Sequence, residues 1–332
     1  MSKVVLHIGT HKTATTTIQD TFHKNAGLLA EHGLVYPRLG NVTGHHGLVM
    51  DWGWLPEVYR LPSGSLGSLQ QLNDMYSDQD VTLFLSSEEF SRGDPAALVD
   101  FQAVREALSG FDEIEVLCTL RIQWQFLQSV YLETSKIKNP PRPSEFARQA
   151  MKSGICDGLW VDYTRLLDHL EQSFSPDEIT FLDYETCRSA KGGIIGAFLA
   201  HLSVPIEVED LAPVNGGASN VSPLSLASFA ANVLSEPHVA PGWLVTLTGD
   251  AIRNHYGQEI KPCVFSSEEY KRLETHFETL NESLSQRRNG HQASFSLTAS
   301  AESRPDVFRN HLNWDFWLRA GRRLTAELAQ LK

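Results

Sequence analysis

The chain has 332 residues, long enough for one large α/β domain or for two small domains, and at 42% hydrophobic and 20% charged its composition is that of a globular rather than a disordered chain. Its formal net charge of −12 argues against a general nucleic-acid-binding surface, so any anion site has to be built locally. The four cysteines, Cys118, Cys156, Cys187 and Cys263, stand far apart without a C-x-x-C pair; neither a zinc framework nor a disulfide scaffold is expected.

The first element is an apolar run, Val4 to Ile8, which predicts a buried strand. Gly9 permits a tight turn, and His11-Lys12-Thr13-Ala14-Thr15-Thr16-Thr17 leads into a helix expected over Ile18 to His32, ending at Gly33. A strand, a turn and a helix N-terminus together form an anion site: unpaired N–H groups and the positive helix end converge there, and Lys12 adds a full charge. Thr13, Thr15, Thr16 and Thr17 are candidate hydroxyl donors to phosphate or sulfate oxygens, and His11 is expected to shape the loop. The nucleotide pattern G-x-x-x-x-G-K-[ST] does not fit, because Gly9 stands three residues before Lys12 and Ala14 occupies the place of a second glycine.

Residues 38–67, with Gly44-His45-His46-Gly47 and Trp52-Gly53-Trp54, are expected to make an irregular excursion. Further strands are expected at Asp80 to Ser87, Ile114 to Leu120 and Glu178 to Leu182, and a short one at Leu34 to Pro37. Helices are expected at Ala96 to Leu108, Gln123 to Ser135, Trp160 to Glu171 and Ile194 to Leu202. This alternation, with strands apolar on both faces, predicts an α/β fold with a central parallel sheet covered on both sides. Ligands in such sheets sit beyond the carboxyl ends of the strands, where Lys12, Glu88, Arg121 and Tyr184 fall. Beyond Pro205, helices are expected at Ser222 to Leu234, Gly242 to Tyr256, Ser267 to Gln286 and Trp314 to Ala329, with a loop or lid at 287–306. The expected organisation is a single domain over 1–332, its core at 1–205 and a mostly helical extension at 206–332. No signal-peptide pattern and no apolar run of membrane-spanning length occur, so a cytoplasmic chain with no membrane span is expected.

Lys12-Thr13-Ala14-Thr15-Thr16 resembles the phosphosulfate-binding loop of sulfotransferases, K-[ST]-G-T-T after a strand, with Ala14 in place of the usual glycine. Arg121 at a strand end, followed eight residues later by Ser129, resembles the pair that binds the 3′-phosphate in that family. A guanidinium fork suits that role physically. Tyr184 in Asp183-Tyr184-Glu185 is similar to the family's Y-E-[DE] at a strand end, and Phe277, Asn281 and Leu284 look like the F-x-x-x-N-x-x-L helix of bacterial members.

The resemblance, to carbohydrate-sulfotransferase-like bacterial members, implies a three-layer α/β/α, P-loop-like fold. It also implies sulfuryl transfer from 3′-phosphoadenosine 5′-phosphosulfate (PAPS), without a metal, to a hydroxyl or amine of a carbohydrate or small metabolite. The product is adenosine 3′,5′-bisphosphate (PAP). Lys12 would meet the 5′-phosphate and bridging oxygen, the rest of the loop the 5′-phosphate, and Arg121 with Ser129 the 3′-phosphate. Glu88 resembles the general base of carbohydrate sulfotransferases, with His45 and His46 as rival bases. The competing expectations are a P-loop nucleotide or small-molecule kinase, and a catalytically inactive PAP-binding protein.

Overall fold

The computed structural model describes residues 1–93, 99–214 and 223–330. It divides into two compact units: Met1–Arg121, Gly154–Ser219 and Leu280–Leu297 form the first, and Ile122–Ser153, Asn220–Thr279 and Thr298–Lys332 the second.

The first unit holds the expected parallel sheet. Its strands are β1 (Lys3–His7), β2 (Leu34–Val35), β3 (Thr82–Ser86), β4 (Glu113–Leu120) and β5 (Ile179–Asp183), in the order β2-β3-β1-β4-β5. Every neighbouring pair is parallel. Val4, Val5 and Leu6 of β1 and Leu83, Phe84 and Leu85 of β3 are fully buried, so alternate residues are covered on both faces, as their continuous apolar runs require. On one face Val5, Phe84 and Leu117 pack with Ile18 and Phe22 of α1 (Thr15–Lys24) and with Ile195, Phe198 and Leu199 of the helix Gly193–His201. The chain visits β2 and β3 on one side of β1, then crosses to β4 and β5 on the other. The crevice at the carboxyl end of β1 is therefore the topological switch point, where open α/β sheets hold ligands.

Three local departures have identifiable causes. The helix expected over Ile18 to His32 is two helices, α1 and Ala26–Glu31, broken at Asn25. The Asn25 side chain donates to the carbonyls of Thr21 and Ala212 and accepts from the Ala212 N–H, competing with the helix ladder at that point. The helix expected from Trp160 begins instead at Tyr163. Ahead of it Ile155–Cys156 and Leu159–Trp160 form a small antiparallel hairpin whose turn, Asp157-Gly158, has φ of 52° and 75°, the geometry that Asp-Gly favours. A helix also follows β5 directly, Tyr184–Ser189, because the Asp183 carboxylate accepts from the Thr186 N–H and caps it.

Two expected helix starts, at Ala96 and Ser222, lie outside the described residues; the helices there run Phe101–Ala107 and Ser225–Ser235. The helix Ser267–Arg288 includes Arg287 and Arg288, which were expected in a loop or lid. Further along that expected loop, the Gln292 amide bonds both the N–H and the carbonyl of Phe181, and so occupies the open edge of β5. Phe295 packs on Phe181 with ring centroids 5.7 Å apart and the planes tilted by 43°.

The second unit is mainly helical, with Gln123–Thr134, Pro143–Ser153, Gly242–Tyr256 and Trp314–Gln330 as its long elements. Pro143 opens its helix at a position where a missing N–H does no harm, which is how a proline-rich turn passes straight into a helix. Gln128 bonds Pro262 O and Val264 N, holding the short parallel pair Pro262–Cys263 and Val307–Phe308 against its own helix. Among the described residues no helix is long and apolar enough to cross a membrane.

Glu115 of β4 is buried between Lys3, at 2.7 Å, and His201, at 2.7 Å. Burial pushes its carboxyl up, but the hydrogen bonds from His201 and Lys3 outweigh it and bring it to about 2. Glu115→Gln is expected to lower stability at pH 7 by about 1–3 kcal/mol. Because the folded carboxyl titrates below the unfolded one, wild type loses this advantage as pH falls from the ordinary carboxylate range toward 2. Urea unfolding of both proteins at pH 7 and pH 3 checks this; a gap as large at pH 3 as at pH 7 would refute the assignment.

Candidate active site

β1 leaves the sheet at His7, and residues 9–14 turn the chain into α1. Gly9, Lys12 and Ala14 have φ of 50°, 67° and 62°, all left-handed. Backbone of this kind turns nearby N–H groups toward a common point and makes an anion-binding concavity. At Gly9 a Cβ would lie 2.6 Å from Thr15 Cγ2, so the turn needs glycine twice over, for its conformation and for its space. Ala14 is the residue before α1; no side chain caps the helix and no acidic residue stands in its first turn. The positive end of α1 is thus left to an incoming anion.

The loop is sewn to β4. Ile8 N–H donates to Leu117 O, Thr10 N–H to Thr119 O at 3.0 Å, and the Cys118 thiol to Gly9 O at 2.8 Å. Within the loop the Thr13 hydroxyl donates to Thr10 O, so Thr13, fully buried, serves the turn itself. Thr15 is buried, whereas Thr16 and Thr17 are exposed, and Lys12 is half-buried.

Arg121 follows β4 and closes the loop from that side, its Nη1 donating to Lys12 O at 3.3 Å. Its guanidinium lies over the Tyr184 ring, 4.9 Å from the centroid, and 3.9 Å from Glu185. Burial pushes the guanidinium down from its ordinary value, the opposing carboxylate and phenols notwithstanding, and an arginine stays charged there. Tyr163 OH donates to the Arg121 carbonyl and fixes its backbone. Ser129 is half-buried on the helix Gln123–Thr134, in the second unit.

β3 contributes two carboxylates on a short 3₁₀ turn, Glu88–Ser91, which Ser87 caps by accepting from the Glu89 N–H. Gln19 of α1 donates to Glu88 Oε2 at 2.9 Å, and His46 Nδ1 stands 4.0 Å from the same oxygen. Burial pushes the Glu88 carboxyl up, but His46, His11, its own backbone N–H and the Gln19 hydrogen bond together outweigh burial and hold it below the usual carboxylate range. Glu89 pairs with His11, at 3.2 Å, and with Arg92; burial raises its carboxyl, and these two partners bring it down to about 2. The His11–Glu89 bond ties the loop after β1 to the turn after β3.

The other histidines differ in kind. His45 is buried, with Nε2 on Pro37 O at 2.8 Å and Nδ1 on Ser86 N at 3.0 Å; both ring nitrogens are spent on backbone, and burial brings the ring down to about 4. His46 bonds Ser87 Oγ through Nδ1 at 2.9 Å, and the same nitrogen is the one that faces Glu88. His7 is a core residue, bonded to Ser86 Oγ and stacked on Phe84, and burial lowers it to about 4.

The structure thus brings Lys12, Arg121, Tyr184, His11, His46 and Glu88 to the carboxyl ends of four strands of one sheet. Gln19 and Arg92 were not singled out from the sequence, and Glu185 entered there only as part of the Tyr184 motif. Gln19 had a signal, since it occupies a buried position in the stripe Thr15, Ile18, Gln19, Phe22, where a polar side chain needs a partner. Arg92 stands three residues after Glu89, the spacing of a same-face ion pair.

No protein-family model matches the sequence, and no curated protein matches it. Among solved structures, the chain is similar to a sulfotransferase from Alicyclobacillus acidocaldarius, at 13% identity and a TM-score of 0.40, over 68% of this chain and 90% of that one. It is also similar to a mouse sulfotransferase complexed with PAP, at 12% identity and a TM-score of 0.41, over 89% of each chain. At these values the likeness carries no residue from those proteins to this one.

The loop geometry predicts opposite outcomes for two small substitutions. Ala14→Gly removes the left-handed penalty of a Cβ, worth about 1 kcal/mol, and is expected to leave stability unchanged or raised. Gly9→Ala introduces both that penalty and the Thr15 clash, and is expected to lower the melting temperature by several degrees. Calorimetry on the two variants decides; equal destabilisation by both would mean that Ala14 does not hold this conformation.

Proposed function

We propose that the chain is a sulfotransferase that moves a sulfuryl group from PAPS to a hydroxyl or amine of a carbohydrate or small metabolite, releasing PAP. The observation that carries this reading is the pairing of a left-handed turn at an uncapped helix start, Gly9 to Ala14, with a buried carboxylate, Glu88, held below the usual carboxylate range, at the switch point of one parallel sheet. A site that only held a nucleotide would gain nothing from a carboxylate beside its anion turn, since like charge weakens anion binding. A proton-accepting step gives it a purpose.

In the reaction the acceptor oxygen or nitrogen attacks sulfur while the bridging S–O bond breaks. The electron pair of that bond leaves on the 5′-phosphate oxygen of PAP, and the acceptor's proton passes to Glu88. Lys12 and the loop N–H groups offset the charge that develops on the leaving oxygen, work that resembles phosphoryl transfer. Arg121 suits the 3′-phosphate, because its guanidinium is already positioned by Tyr184, Glu185 and the Lys12 carbonyl. Glu88 is ionised at neutral pH and so is ready to accept. His46, beside Glu88, supports that carboxylate, whereas His45, saturated by backbone, belongs to the scaffold. Kinase chemistry has less support, since the loop lacks the Walker glycine–lysine pattern.

The nucleotide preference tests this reading. PAP is expected to raise the melting temperature and ATP with magnesium to leave it unchanged; the reverse would overturn the proposal. Lys12→Ala should remove transfer from radiolabelled PAPS while the fold survives. Arg121→Ala should weaken PAP about tenfold or more and AMP far less, as expected when a charged hydrogen-bonding partner of one phosphate is lost. Equal losses for the two nucleotides would place the 3′-phosphate elsewhere.

A further inference from the structure

The side chains around Glu88 treat its two oxygens differently. Oε2 accepts from Gln19 Nε2 at 2.9 Å and is the oxygen that His46 approaches, at 4.0 Å; Oε1 takes part in neither contact. Gln19 is almost wholly buried, and the same amide nitrogen reaches Ser86 O at 3.5 Å and Ser86 Oγ at 3.4 Å. Ser86 Oγ is in turn bonded to His7 Nδ1 at 2.9 Å. Gly44 makes room for this arrangement: a Cβ there would lie 2.6 Å from both Gln19 Oε1 and His46 Nε2. The bare backbone at 44 therefore stands against both groups that meet Oε2.

We propose that Gln19 is a positioning residue which pins Oε2 of Glu88 and leaves Oε1 as the atom that receives the acceptor's proton. This rests on the sulfuryl-transfer reading, in which Glu88 is the base. A glutamate at the start of a short turn can rotate about three side-chain bonds, and a buried donor fixed on a helix removes most of that freedom. The helix is also the one that begins at the anion turn: Thr15 and Gln19 are one turn apart on α1, about 6 Å along its axis. One rigid element thus sets both the site of the leaving phosphate and the orientation of the base. An amide suits this place because it donates to the carboxylate and does not itself take the proton.

The groups facing Glu88 are His7 of β1, His11 of the loop, Tyr36 after β2, His46 of the excursion and Gln19 of α1. Burial raises the carboxyl, while His46, His11, the backbone N–H of Glu88 itself and Gln19 lower it. Removing the Gln19 donor therefore lets Glu88 protonate at higher pH, and the acid limb of activity moves up with it.

The experiment is a carbon-13 NMR titration of the full chain labelled at glutamate carboxyls, with Glu88→Gln assigning the resonance. Wild type is compared with Gln19→Met, which keeps length without a donor, and with Gly44→Ala, which displaces Gln19 by another route. The Glu88 midpoint is expected to rise by about one pH unit in both variants, the scale of one hydrogen bond to a charged group. The acid limb for release of PAP from PAPS into water should rise equally. At the plateau kcat should fall about tenfold with KM for PAPS unchanged. Equal midpoints in wild type and both variants would overturn the pinning of Oε2. A raised midpoint with an unmoved acid limb would overturn the role of the pinned carboxylate as base. If PAP fails to stabilise wild type, the nucleotide reading falls by itself, and the carboxyl titration still decides the pinning.

Discussion

The site depends on how the backbone leaves β1. This strand lies between β3 and β4, so it has no free edge, and its exit has to pass over the carboxyl rim of the sheet. β4 continues from Leu117, which pairs with His7, to Leu120, and it is this overhang that receives the loop amides of Ile8 and Thr10. The turn is thereby tied to β4 on one side and, through His11 and Glu89, to β3 on the other. A loop with three left-handed residues holds only when its surroundings over-determine it, and these two ties do so.

Charge is handled locally, against the trend of the whole molecule. A chain of net charge −12 collects Lys12, Arg121, Arg92, His11 and His46 at the strand ends, where the start of α1 adds its own positive field. Each buried carboxylate there has a stated partner: Glu88 has Gln19 and His46, Glu89 has His11 and Arg92. Both are held below the usual carboxylate range in spite of burial, which keeps them ionised at neutral pH. Without those partners burial would push both carboxyls up, toward the neutral form that accepts no proton.

The same economy governs the scaffold. His45 and His46 are adjacent in sequence and opposite in use, because the backbone takes both nitrogens of the first and leaves the second against Ser87 and Glu88. Gln292 performs for the edge of β5 what a further strand would perform, using one amide to answer both groups of Phe181. Asn25 does similar work where α1 ends.

The parallel sheet, the strand ends and the turn between β1 and α1 were legible in the sequence, because each is local. An apolar run buried on both faces announces a central strand, and a glycine followed by a lysine among threonines announces a turn into a helix start. Ala14, which stands where the resembled loop has glycine, takes the left-handed conformation that glycine adopts freely, with φ of 62°. What the sequence left open was every pairing across distance. That Gln19 meets Glu88, His11 meets Glu89 and Tyr184 lies under Arg121 follows from strand order, which in the first two contacts brings together residues 69 and 78 positions apart. The break at Asn25 and the hairpin at Asp157-Gly158 were visible as residue types, yet their effect depended on partners elsewhere, Ala212 and the neighbouring strand. Local propensity decides which elements form; only the packed sheet decides which side chains face one another, because burial turns a distant polar group into a required partner.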